Sequence, residues 1–101
     1  MADSDEGTLA AVHTDIRNIL TAQEAHRWDY GRYAADLTEL QHATGFQLTK
    51  GHTGTIVGSP TGFKVTVRNG SIPSGPRQYS VYIGDAATAA GKQEGYFESE
   101  P

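Results

Sequence analysis

From Thr8 to Tyr33 the chain reads TLAAVHTDIRNILTAQEAHRWDYGRY, and between Gly7 and Gly31 it contains neither glycine nor proline. Nothing in that backbone stretch interrupts a helix. Leu9, Val12, Ile16, Ile19 and Leu20 recur at three- and four-residue intervals, and Gln23 prolongs the row. This spacing predicts an amphipathic helix over 8–30 whose apolar stripe must be covered by another layer. No other segment is both long and periodic, so the shorter elements have to pack against this one. Residues 1–7, MADSDEG, read as an artificial head. The charges of Asp3, Asp5 and Glu6 favour the positive end of the helix dipole, and Asp5 or Thr8 is expected as N-cap.

Gly31 is placed to end the helix in the left-handed conformation. Leu37 and Leu40, three apart, allow one or two further helical turns, closed by Gly45. The pattern then changes to alternation. His52–Val57 reads as a strand and GSPT (58–61) as a turn. Phe63, Val65 and Val67 alternate with Lys64, Thr66 and Arg68, and Tyr79, Val81 and Ile83 repeat the pattern. Ile72-Pro73 and Gly75-Pro76 make 69–77 an exposed connection. The expectation is one α+β domain over 1–101, an N-terminal amphipathic helix packed on a three- to four-stranded antiparallel sheet. The sheet region is 46–84 and an irregular tail occupies 85–101, pinned by Tyr96 and Phe97, with a short extra strand as an option. The expected core is Leu9, Val12, Ile16, Ile19, Leu20, Phe63, Val65, Val67, Val81 and Ile83.

A formal net charge of −4 without a basic run argues against nucleic-acid binding. With no cysteine there is neither a disulfide nor a thiolate metal site. No apolar run is long enough to span a membrane, and no signal peptide is visible. The histidines at 13, 26, 42 and 52 show no i, i+4 pair, and no hydrolase, nucleotide or paired-carboxylate motif is present. Catalysis and bound cofactors or metals are therefore not expected. Asn69-Gly70-Ser71 fits a glycosylation acceptor but reads better as a turn, and Asp85, Glu94, Glu98 and Glu100 read as solvated charges rather than calcium ligands. Trp28 projects opposite the stripe, beside Arg17, Thr21 and Glu24. Its large apolar surface calls for a cover, the C-terminal tail being the simpler expectation and a neighbouring molecule the other.

The run DIRNILTAQEAHRWDYGRYAADLTEL, followed by Gly45-Phe46, GTIV and GFKVTV, resembles the C-terminal domain of bacterial type IV pilins and type II secretion pseudopilins. In that family a helix of the form LRNxxTAxEAYxxDxGxY leads through a short Leu-x-x-Leu turn into an antiparallel sheet. The resemblance covers roughly residues 8 to 84. The chain departs from it in lacking the frequent C-terminal cysteine pair, and His26 and Arg27 replace aromatic residues before the Asp29-x-Gly31 turn. The family's calcium ligands find no residue-by-residue match.

The resemblance implies a structural role, as a filament subunit of a pilus or secretion pseudopilus that involves cell adhesion, motility or protein secretion. Partners would be other copies and related pilins, joined through a hydrophobic N-terminal helix upstream of Thr8. The full-length precursor would be anchored in the inner membrane, and the assembled subunit would sit at the cell surface. The isolated domain is expected to be monomeric. Trp28, Arg17, Glu24 and Ile72 (the last on the 69–77 connection) are the candidate subunit contacts. The alternative reading is a minor or tip pilin that binds a surface, DNA or a secreted substrate.

Overall fold

The first helix, α1, covers Ala2–Tyr30. The structure, a computed structural model, describes residues 2–69 and 78–100, with the side chains of 2–9 and of 100 excepted. The helix begins earlier than expected, so Asp5 and Thr8 lie inside it rather than capping it. It ends where the sequence indicates. Gly31 takes φ 75°, and its N–H closes the last turn on the Arg27 carbonyl at 2.7 Å. A short helix, α2 (Leu37–Thr44), follows. Asp36 caps it by accepting the Glu39 N–H at 2.8 Å, and Gly45 at φ 73° terminates it.

Four antiparallel strands form a meander in the order β1 (His52–Ser59), β2 (Gly62–Asn69), β3 (Gln78–Gly84) and β4 (Glu98–Glu100). Pro60 and Thr61 turn the first hairpin, with Ser59 paired to Gly62. The register places Ile56 beside Val65, Val65 beside Val81, and Phe63 beside Ile83. Because strand side chains alternate, these residues share one face with Val67 and Tyr79. That face packs on α1, chiefly through β2. On the opposite face Thr53, Thr55 and Val57 are exposed, and Thr66 Oγ1 lies 2.8 Å from Ser80 Oγ. The domain is thus α+β, a helix laid on a four-stranded sheet.

The core contains Val12, Ile16, Ile19, Phe63, Val65, Val67 and Val81, all essentially buried, with Tyr33, Ala34, Leu40 and Ile56 beside them. Ile83 and Leu20 pack at its margin and are only half-buried, which corrects their full core placement. Leu9 lies outside the described side chains. For Leu20 the reason is helix phase. Asp15, Gln23 and His26 are buried instead, so the covered face turns away from the His13–Leu20 edge toward the His26 edge.

The tail is more regular than expected. Asp85–Ala90 forms a helix, α3, and Glu98–Glu100 pairs with Gln78–Ser80 as β4. Alanine-rich composition suits the short helix, and Gly84 makes its entry. Gly84 has φ 67° and ψ −138°, and a Cβ there would meet the Thr61 carbonyl and lie 3.0 Å from Gly62 Cα. Gly84→Ala is accordingly expected to cost about 2–3 kcal/mol from backbone strain and crowding, measured by denaturant unfolding. A cost below about 0.5 kcal/mol would be that of an ordinary surface site. Asn69, expected in the exposed connection, is instead the last residue of β2, paired with His52 and 9% exposed. Residues 70–77, with Ile72 and the rest of the Asn-Gly-Ser pattern, lie outside the described residues.

Candidate functional site

The outward side of α1 carries Arg17, Thr21, Glu24 and Trp28 at intervals of four, three and four residues, and all four are exposed. Helical spacing aligns them in one row. Trp28 is 90% exposed and Tyr30 59%. The tail does not cover Trp28, contrary to the simpler expectation. Phe97 packs at the other end of the row, over His13, whose ring also meets Tyr79, with the Arg17 guanidinium 5.9 Å from the Phe97 ring centroid. Arg17 is therefore a tail contact. Tyr96 is 61% exposed, so Phe97 alone of the two aromatics anchors the tail in the core.

The region around Trp28 is held in place from below. Tyr33 donates to Glu24 Oε1 at 3.1 Å and accepts from Arg27 Nη1 at 3.2 Å. The Arg27 guanidinium also lies 5.2 Å from the Tyr33 ring centroid. Burial pushes the Tyr33 hydroxyl above its ordinary pKa; the Arg27 hydrogen bond opposes this, and Glu24 adds to it. It stays a neutral donor at neutral pH. The Tyr33 ring packs edge-on against Phe63 at 4.9 Å, which ties this polar set to the core. Glu24, Arg27 and Trp28 line a shallow depression of about 320 Å³. The result is an exposed indole flanked by an anchored carboxylate and an anchored guanidinium.

Three buried polar arrangements escaped the sequence reading. Asp15 accepts from Thr49 N–H at 3.0 Å, from Thr49 Oγ1 at 2.8 Å and from His52 Nδ1 at 2.6 Å. Gln23 brackets Ala34, donating to its carbonyl at 3.1 Å and accepting its N–H at 2.8 Å. His26 Nδ1 donates to the Arg32 carbonyl at 2.7 Å. Each joins α1 to a segment outside it. The available signal was Asp15 itself, a carboxylate three residues from Val12 and four from Ile19, where a helix facing a core demands a partner.

On the α2 side, Glu39 receives both guanidinium nitrogens of Arg32, at 3.0 and 3.2 Å, together with the Ala35 N–H. These bonds hold its carboxyl below the ordinary glutamate range and raise Arg32. A broad open groove of about 650 Å³ runs from Thr38 to His52, past His42, Phe46 and Lys50. Among the described residues no set of three His, Asp or Glu is placed to hold a metal ion. Asp85 accepts from Ser59 and Thr61, while Glu98 pairs with Lys92. Among the described residues no helix is long and apolar enough to cross a membrane.

Comparison with protein-family models, with proteins of curated function and with solved structures finds no match for this chain.

Proposed function

We propose that the domain is a structural subunit of a surface filament, of the type IV pilus or secretion-pseudopilus kind, and that the outward face of α1 supplies lateral contacts between copies. The observation that carries this reading is Trp28, 90% exposed near the end of α1. Large aromatic side chains flanked by oriented polar groups make efficient association anchors because little side-chain freedom is lost on contact. The TAQEAHRWDYGRY segment, which carries the resemblance to pilins, is also the segment that builds this face and its Tyr33 support. Glu24 and Trp28 are the proposed contacts on the helix, Arg17 acts at the edge where the tail docks, and Ile72 belongs to the same proposal through its connection. The partners are further copies and related pilins, and the site of action is the cell surface.

Filaments sheared from cells carrying the native gene test this reading. The domain should be recovered in that fraction and absent when the gene is deleted. Recovery exclusively as free protein, with filaments unaffected by deletion, would overturn it.

A further inference from the structure

We propose that His13, Tyr79 and Phe97 form a pH-operated latch, in which protonation of the His13 imidazole releases β4 from the edge of β3. The proposal stands apart from the filament reading and begins with a mismatch in hydrogen bonding. His13 Nε2 is buried and has no hydrogen-bond partner among the described residues. Its ring meets Tyr79 edge-on at 4.2 Å and lies tilted beneath Phe97 at 4.9 Å. A neutral imidazole can fill such a pocket as an aromatic ring. The protonated ring must bury a second N–H without an acceptor.

The surrounding charges oppose protonation further. The charged and titratable groups that face the ring, among the described residues, are Arg17 on α1 and the Tyr79 phenol on β3. Glu98, next to Phe97 in the chain, pairs with Ser80 and so shares the opposite face of the sheet. The Glu98 carboxylate is engaged by Lys92 Nζ at 2.9 Å, and Arg17 lies over the outer aromatic ring. Burial, followed by the Arg17 charge, lowers the His13 pKa from its ordinary 6.5. The docked ring thus holds its proton less tightly than the undocked one. Docking is at full strength above pH 6.5 and weakens as pH falls through the lowered value.

The element under this control is weakly held. β4 has three residues, paired as Gln78 with Glu100, Tyr79 with Ser99 and Ser80 with Glu98. Phe97 immediately precedes it and supplies its apolar anchor. The ring that senses pH therefore lies directly under the residue that keeps the strand in place.

Hydrogen-exchange protection, corrected for the intrinsic pH dependence, is the direct readout. Between about pH 7.5 and about pH 5, protection of the β3–β4 amides should fall by about threefold or more, relative to the β1–β2 amides. His13→Leu should keep β4 docked and abolish the differential fall, whereas Glu98→Gln should retain it. An unchanged ratio in the unmodified protein would overturn the latch. So would an equal fall in His13→Leu, or loss of the response in Glu98→Gln with His13 intact.

Discussion

Asp15→Ala is expected to lower the stability of the domain by about 3–5 kcal/mol, the range for breaking a buried, hydrogen-bonded polar pair on one side. Asp15 is 3% exposed and His52 9%. Removing the carboxylate leaves the His52 Nδ1–H, the Thr49 N–H and the Thr49 hydroxyl without their acceptor at one point between α1 and β1. Each stranded donor costs about 1–3 kcal/mol when water cannot reach it. Part of the cost will be relieved by movement of the 45–51 segment, which keeps the total below the simple sum. Denaturant unfolding measures it. A double variant, Asp15→Leu with His52→Leu, should recover stability relative to Asp15→Ala, because apolar side chains leave fewer orphaned groups. A single-variant loss under about 1 kcal/mol would place the pair in solvent-like surroundings.

Gln23→Leu should come close behind, with a loss of about 2–5 kcal/mol. Leucine fills a similar volume, so the cavity contribution is small, and the effect isolates hydrogen bonding. Both the N–H and the carbonyl of Ala34 lose their partner, and Ala34 is fully buried. Two unsatisfied buried backbone groups account for the range. The loss should be accompanied by faster exchange at Ala34 and its neighbours, since Gln23 joins the helix to the chain entering α2. Stability within about 0.5 kcal/mol of the unmodified protein would show that water or a rearranged backbone replaces the clamp.

These two residues mark the boundary of what was legible in the sequence. The alternation of Phe63, Val65 and Val67 with polar neighbours located β2 to within a residue at each end, because sheet period and one-sided burial leave little freedom. Gly31 and Gly45 located the helix ends by their conformational freedom alone. The phase of α1 was less secure. An apolar count centres the stripe near Ile16 with Leu20 at one edge, whereas the buried face extends past the other edge to Asp15 and His26 and takes in Gln23. Those side chains are covered because partners 34 and 37 residues away satisfy Asp15, and partners 11 and 6 away satisfy Gln23 and His26. Periodicity carries no information about such pairs. The tail illustrates a different limit. Asp85–Ala90 is too short and too uniform in alanine for a period to emerge, and its helix is set by packing on β2 and β3. At the candidate site, the row of Arg17, Glu24 and Trp28 followed from helical geometry, but its support by Tyr33 required the fold.

The central claim is that the outward face of α1 joins copies of the domain, and Trp28→Ala tests it most directly. Filament yield from cells carrying the substitution in the native gene should be compared with the unfolding of the same variant as an isolated domain. Trp28 is 90% exposed, so its removal should change monomer stability by no more than about 0.5 kcal/mol. Loss of an interfacial aromatic anchor should lower filament yield more than about tenfold. That combination, an intact monomer and few filaments, is the result expected. Filaments at the unmodified level from cells expressing only the Trp28→Ala chain would contradict the claim.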